Sequence, residues 1–481
     1  MNAWDAQRVA EAAGASMHRR PAAGAARGGP PGVAIDSRAV SGGELFVGLR
    51  GEHADGGEHA ADALAAGAWG VLVSPEHAVA CETAGDGVVL VHPRPLEGLQ
   101  ALARAWRREL GARGAKVVGI TGSTGKTSTK DILAALAGPR RRTVSSPQNF
   151  NTEIGLPLAL LAAPAGTEVV VLEMAMRGVG QIAELAAIAE PDVGVIVNVG
   201  PVHLELLGTI EAIAAAKAEL IAGLAPRSTV VVPAGEPLLA PHLRPDLNTV
   251  TFGDGGDVAL EQVRPDGEVV IGAHGREITL RPSFGQAHNL RNLLAAVAAA
   301  LALGIDHSEI GEGGGLHVRF SALRGERLTL PGGVVVINDC YNANPMSMRA
   351  AIDDLASTAP ARRVAVLGDM LELGPEAQRL HREIGLYAAE RGVDVLVTVG
   401  PLAAEMRREF EGESYPTGDA QAAAELLLTL LQDGDTVLVK GSRGVGLERV
   451  AQRLATARED EHERPRGGSG SVTAGGEPGR R

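Results

Sequence analysis

A strand, a glycine-rich turn and a helix start are all legible within residues 117–127, Val-Val-Gly-Ile-Thr-Gly-Ser-Thr-Gly-Lys-Thr. The β-branched run through Val117, Val118 and Ile120 predicts a strand. Ile132, Leu133 and Leu136 fall on one face of a helix opening at Lys126-Thr127. The turn between them, from Gly122 to Gly125, presents consecutive backbone N–H groups, and the helix N-terminus adds partial positive charge. Phosphates suit that environment. Lys126 supplies a point charge, and the Thr127 hydroxyl is placed to reach Mg²⁺. The usual phosphate-loop spacing is shortened, because only Ser123 and Thr124 separate Gly122 from Gly125. A turn without a ligand is the alternative, and the strand before and helix after weigh against it. A unit of this kind implies an α/β fold with a mainly parallel sheet.

At 481 residues the chain exceeds one ordinary core and suits about three domains of ~150 residues each. Only two cysteines occur, Cys81 and Cys340, so no disulfide framework is implied and a reducing, cytoplasmic setting is expected. No apolar run approaches the ~20 residues of a transmembrane segment. The net charge is −13 with no basic cluster inside the folded region, which argues against nucleic acid as a partner.

Residues 1–113 form a first unit in which Asp36-Ser37-Arg38 and the loop from Gly51 to Gly57 are polar loops beside short strands. Taken alone, such loops are more often plain turns than ligand contacts. The Gly114–Lys116 break reads as a linker into a second unit, 114–313. There Glu173 ends one predicted strand, and His203 follows another, Val193 to Val199. Open parallel sheets place ligands at strand carboxyl ends, and Mg²⁺ needs carboxylates beside phosphates, so the pair points toward metal ligation. Lys217 falls on the apolar stripe of a helix with Ile213, Leu220 and Ile221, capped by Thr209. Spacing alone favours a lysine that snorkels to the edge. Were it buried, desolvation would leave a neutral amine able to take up CO₂ as a carbamate, a metal-binding anion. Asn289 and Asn292 share one face of a helix start and can meet one planar group such as a base, or one of them can cap the helix.

The third unit, 314–457, alternates helices with strands predicted over Val334–Asp339, Arg363–Asp369, Val393–Val399 and Thr436–Lys440. That is the pattern of a Rossmann-like parallel sheet, with Asp339, Asp369 and Lys440 each ending a strand. No Gly-x-Gly-x-x-Gly follows its first strand, so no nicotinamide cofactor is read here. The charged, Gly-rich tail 458–481 is expected to be disordered.

Several motifs, taken in order over residues 30 to 455, together resemble the Mur ligases of bacterial cell-wall synthesis. The family's shortened phosphate loop is similar to Thr121-Gly122-Ser123-Thr124-Gly125-Lys126-Thr127, and Asn149-Phe150-Asn151-Thr152-Glu153-Ile154-Gly155 to its second signature. His203-Leu204-Glu205, Ala216-Lys217-Ala218-Glu219 and His288-Asn289-Leu290-Arg291-Asn292 resemble the next three. The segments around Asp339-Cys340-Tyr341-Asn342-Ala343-Asn344-Pro345, Gly368-Asp369-Met370-Leu371-Glu372-Leu373-Gly374 and Lys440-Gly441-Ser442-Arg443 resemble the family member that adds a dipeptide. Ala175 stands where many relatives have Gly, and Cys340 where Ser is common. No Asp-Asn-Pro-Arg motif of the diaminopimelate-adding relatives occurs. A folate ligase would lack the Asp36-Ser37-Arg38 type of domain, and a regulatory protein with a dead site would have lost Lys126, Glu173, His203 or Lys217.

The resemblance implies three domains: a small UDP-binding domain, a central ATP-binding domain and a C-terminal Rossmann-like domain. It implies an ATP-dependent amide ligase that joins D-alanyl-D-alanine to UDP-N-acetylmuramoyl-tripeptide through an acyl phosphate. Gly122 through Thr127 and Ser128 would hold ATP phosphates, and Asn289 and Asn292 would face adenine. Arg324 and Asp339 would reach the nucleotide. Thr127 and Glu173 would hold one Mg²⁺, and His203 with carbamylated Lys217 the second. Ser37, Arg38, Gly51 and Asp55 would meet the UDP end. Asn149, Asn151 and Thr152 would meet substrate as well, and Asn342, Asn344, Ser442 and Arg443 would lie near the dipeptide. A monomer is the default expectation.

Overall fold

The structure is a computed structural model that describes residues 1, 3–20, 28–312 and 314–463. It is mixed α/β with three sheets, as expected for the fold class, and falls into two units of contact. Residues 1–321 with 372–376 make the first, and 322–371 with the remainder of the chain the second.

The first unit holds two sheets. A small five-stranded sheet is parallel from Val33–Ala34 through Leu45–Val47 and Gly70–Val73 to Val88–Val91. The edge strand Ser16–Arg19, absent from the sequence reading, pairs antiparallel with Val88–Val91. The helix Pro95–Ala112 then packs Leu99, Leu102, Ala103, Trp106 and Leu110 into a core shared with helices of the central layer. Its Arg107 is buried and donates to the carbonyls of Ala189 (2.9 Å) and Glu190 (2.8 Å) at the end of the helix Gln181–Ala189, while pairing with Asp192 at 2.9 Å. A cation at a helix C-terminus satisfies carbonyls that have no partner within the helix.

The ten-stranded central sheet is built around Lys116–Thr121, flanked by Val169–Glu173 and Val193–Ile196, all parallel. Alternate residues face opposite cores. Val117, Val170, Leu172 and Ile196 pack under the helices Gln181–Ala189 and Ile210–Gly223. Val118, Ile120, Val171 and Val195 pack under Lys126–Ala137 and Ala287–Ala302. Both faces of the sheet are therefore covered, which is why its strands read as unbroken apolar runs. Small Ala295, Ala296, Ala298, Ala299 and Ala300, all fully buried, let the helix Ala287–Ala302 lie close against its neighbours.

The second unit carries a six-stranded sheet in the order Glu326–Thr329, Val335–Asn338, Thr436–Lys440, Arg363–Gly368, Val395–Val399 and Glu413–Thr417. All pairings are parallel except that of Glu326–Thr329. The four predicted strands are its centre, and the two outermost strands were not foreseen. The last helix runs Glu448–Glu463, into the segment expected to be disordered. Residues 458–463 contain no Gly or Pro to stop the helix, and Arg458, Glu459, Glu461 and Glu463 favour it. The rest of the expected tail and the predicted boundary residue Gly313 lie outside the described residues. No helix among the described residues is long and apolar enough to cross a membrane.

Candidate functional site

The register Ile120↔Glu173 and Thr121↔Ile196 brings the phosphate loop, Glu173 and the loop carrying His203 to the same edge of the central sheet. Gly122 takes φ +157 and Gly125 φ +76, and Gly125 precedes the helix Lys126–Ala137. A Cβ at Gly125 would stand 2.4 Å from Asn292 Oδ1, so no side chain fits between loop and helix here.

The loop is held from the neighbouring strand end. Asn198 Oδ1 accepts the Thr124 N–H at 2.9 Å, and its Nδ2 donates to Thr124 Oγ1 at 2.9 Å. Ser123 donates through Oγ to the Gly200 carbonyl (3.0 Å) and accepts the Gly200 N–H (2.9 Å). The sequence reading missed Asn198. The signal was present, since it is a polar residue just past the end of a buried strand beside the loop.

Thr127 is buried and its hydroxyl donates to Glu173 Oε2 at 2.7 Å, while Asn151 Nδ2 donates to Glu173 Oε1 at 2.9 Å. The Glu173 N–H is in turn taken by Ser146 Oγ at 3.1 Å. A hydroxyl and a carboxylate oxygen side by side are hard donors suited to Mg²⁺. Lys126 Nζ donates to the Gly122 carbonyl at 2.8 Å, folded back over the loop. Ser128 lies in the helix's first turn. Asn149 takes φ +71, and the Thr152 carbonyl accepts the Leu156 N–H at 2.9 Å at the start of the helix Gly155–Leu161.

Lys217 does not snorkel. It is 1% exposed on the helix Ile210–Gly223 and makes no hydrogen bond or ion pair among the described residues. Burial, and after it the charge of Lys126, lowers its pKa well below the usual lysine range, which favours the neutral amine. His203 takes φ +54, ahead of the short helix Leu204–Leu207. Its pKa is lowered by burial first; Glu372 opposes this, and the nearby charges of Lys126 and Lys217 add to the lowering. Lys126 and Lys217 therefore both bear on His203, and Lys126 on Lys217.

Asn289 and Asn292 are both buried, and Asn292 Nδ2 donates to Asn289 Oδ1 at 3.3 Å. Neither caps the helix, since Gln286 holds the N-cap position and makes no side-chain cap. In the small sheet, Asp36 accepts from Arg38 at 2.7 Å and lies at a pKa of about 2 because of that bond. Ser37 opens the short turn Ser37–Ala39. Gly51 donates its N–H to the Ala54 carbonyl (2.9 Å), and Asp55 accepts the Gly57 N–H at 2.9 Å, with His77 3.2 Å away.

In the second unit three motif segments meet at adjacent strand ends. Lys440, fully buried, donates to Asp339 Oδ2 (2.7 Å), the Asp339 carbonyl (3.3 Å) and the Asn342 carbonyl (3.0 Å). Ser442 donates its N–H to the Asp369 carbonyl at 3.0 Å and accepts the Leu371 N–H at 2.9 Å. Arg324 stacks over the Tyr341 ring at 4.1 Å. Arg443 reaches Glu448 at 3.5 Å. The Asn342 side chain accepts the adjacent Ala343 N–H. Asn344 caps the helix Pro345–Thr358 through a capping box with Ser347, which occupies its side chain.

Behind these turns lies His381, wholly buried. Its Nε2 accepts the Met370 N–H at 2.9 Å, so Nδ1 carries the hydrogen and donates to the Ala377 carbonyl at 2.6 Å. Burial lowers its pKa from the usual 6.5, against the opposing charges of Asp369 and Glu405. The unfolded chain therefore binds a proton in a window below 6.5 where the folded chain does not. Stability is full above that value and is lost as pH falls through the window. The thermal midpoint is expected to drop from neutral pH to about pH 5, and His381→Gln to shrink that drop. An equal drop in the variant would remove His381 from the account.

The arrangement joins a phosphate-loop turn on a covered parallel sheet to oxygen donors suited to a hard cation, with a buried lysine on the helix Ile210–Gly223. Three family models match the chain: the Mur ligase middle domain over residues 120–300, the Mur ligase glutamate ligase domain over 323–443 and the Mur ligase family catalytic domain over 31–107. The chain belongs to the Mur ligase family. It is 37% identical over 435 residues to the UDP-N-acetylmuramoyl-tripeptide–D-alanyl-D-alanine ligase of Bacillus subtilis, covering 88% of this chain and 93% of that protein. With the ligase of the same name from Escherichia coli it shares 30% identity, over 88% and 93% of the two chains. Among solved structures, MurF from Acinetobacter baumannii superposes with a TM-score of 0.84 at 27% identity, covering 94% of this chain and 99% of that one. MurF ligase from Thermotoga maritima in complex with ADP gives 0.77 at 31% identity, covering 89% and 98%.

Proposed function

We infer that this chain is the ATP-dependent ligase that joins D-alanyl-D-alanine to UDP-N-acetylmuramoyl-tripeptide, yielding the muramoyl-pentapeptide precursor of peptidoglycan, ADP and phosphate. Similarity of 30–37% identity over nearly the full length of ligases of that name carries the reading. The site gives it chemical sense. A substrate carboxylate oxygen attacks the γ-phosphorus of ATP and ADP departs. The dipeptide amine then attacks the acyl carbon of the acyl phosphate, loses its proton, and phosphate leaves. Both partners of the first step are anions, so positioning and charge neutralisation dominate.

Amides of residues 122–128 and the Lys126 ammonium hold the phosphates in this reading, and Asn289 and Asn292 lie beside the base. Thr127 and Glu173 would hold one Mg²⁺; His203 and Lys217 would hold the second. Lys217 serves as a ligand only after its neutral amine adds to CO₂, forming the N–C bond of a carbamate and releasing a proton. Mg²⁺ so held supplies charge stabilisation to the phosphoryl oxygens. Ser37, Arg38, Gly51 and Asp55 take the UDP end, with Asn149, Asn151 and Thr152 along the substrate. Arg324 and Asp339 serve the nucleotide, and Asn342, Asn344, Ser442 and Arg443 the dipeptide side, where Asn344 acts through its helix cap. The three family-model matches support separate domains over 1–113, 114–313 and 314–457.

The test is phosphate release from ATP with UDP-muramoyl-tripeptide, comparing D-alanyl-D-alanine with single amino acids. Release that needs the dipeptide is expected. Equal turnover with one amino acid would place the chain among the single-residue ligases instead.

A further inference from the structure

We propose that Glu372 is a positioning residue for His203, holding its imidazole so that Nε2 is the nitrogen presented to a divalent cation. This rests on the reading of His203 as a metal ligand. Residues 372–376 cluster with the first unit, although the chain on either side of them belongs to the second. Within that cluster the Glu372 carboxylate contacts His203 Nδ1. A carboxylate can only accept, so Nδ1 carries the hydrogen and the lone pair is left on Nε2. Metal-binding histidines are commonly fixed in this way by a carboxylate on the other ring nitrogen.

The backbone on both sides of the pair is held in unusual conformations. Glu372 takes φ +62 and His203 φ +54, both left-handed for residues with side chains. The Glu372 carbonyl accepts the Glu205 N–H at 3.2 Å, which fixes the two loops together two residues beyond the imidazole. Gly374, at φ +58, would place a Cβ 3.1 Å from Glu205 Cα, so the close approach depends on a glycine there. The other carboxylate oxygen of Glu372 faces Arg177 at 3.7 Å. Its charge is thus shared between a cation and the ring it orients.

The experiment uses the full chain with ADP and Mn²⁺, reading Mn²⁺ occupancy by electron paramagnetic resonance and the His203 tautomer by ¹⁵N spectra of histidine-labelled protein without metal. His203→Ala defines which Mn²⁺ is at issue. Glu372→Ala is expected to weaken that Mn²⁺ by about tenfold and to mix the ring tautomers. Glu372→Gln, whose amide oxygen still accepts the Nδ1 hydrogen, should keep most of the affinity and the single tautomer. Unchanged Mn²⁺ affinity and tautomer in Glu372→Ala would overturn the proposal, as would a Glu372→Gln that falls as far as alanine. If His203→Ala itself binds Mn²⁺ as the wild type does, the reading of His203 as a ligand fails instead.

Discussion

Lys217→Ala is expected to lower ligation by on the order of 10²–10³-fold while leaving ATP binding in place. The residue is buried and makes no hydrogen bond or ion pair among the described residues, and its electrostatic neighbours include Lys126 and His203. A protonated amine there would repel Lys126, and a plain neutral amine would be a poor ligand for a hard cation. A carbamate would answer both difficulties, because it would place an anion among these bases and offer oxygen donors to a divalent cation. Alanine removes that anion. It also leaves a void, so loss of activity alone would not separate chemistry from packing. Short carboxylates such as acetate or formate can enter the void and replace the oxygens, so partial recovery of phosphate release on adding them is the decisive outcome. Full activity in Lys217→Ala, or a loss that no carboxylate repairs in a variant that still binds ATP, would count against the carbamate.

Glu173→Gln should reduce turnover by a similar 10²–10³-fold with little change in thermal midpoint. The glutamine keeps the volume, and its amide oxygen can replace one acceptor for either Thr127 or Asn151. It cannot be an acceptor on both sides, and it carries no charge to hold Mg²⁺ beside the phosphates. ATP affinity measured without Mg²⁺ should be close to that of the wild type, since loop amides and Lys126 remain. Affinity with Mg²⁺ should fall. A variant whose Mg²⁺-dependent affinity is unaffected would show that Glu173 serves only to hold Thr127.

What the sequence disclosed follows the range of the interactions involved. The phosphate loop was legible because strand, turn and helix are local, and each is decided by residues a few places apart. Central strands such as Val169–Glu173 were legible because a sheet covered on both faces needs continuous apolar runs. The outer strands Glu326–Thr329 and Glu413–Thr417 were not, because exposed edges do not impose that pattern, and Pro416 tells against a strand. Lys217 was flagged but could not be placed, since a lysine on an apolar stripe obeys the same periodicity buried or snorkelled. Only the packing around it decides. His381 passed unnoticed for a similar reason: its two bonds go to backbone atoms that no side-chain pattern advertises.

Asn198 ties the phosphate loop to the sheet through bonds made entirely within the chain. The loop's amides are then aligned as part of folding, and a ligand meets them without first having to freeze them. Heritable variation at this position would consequently act on two traits together. A change that slackens the tether would make the empty protein easier to unfold and the nucleotide quicker to leave, so neither property could drift far without the other.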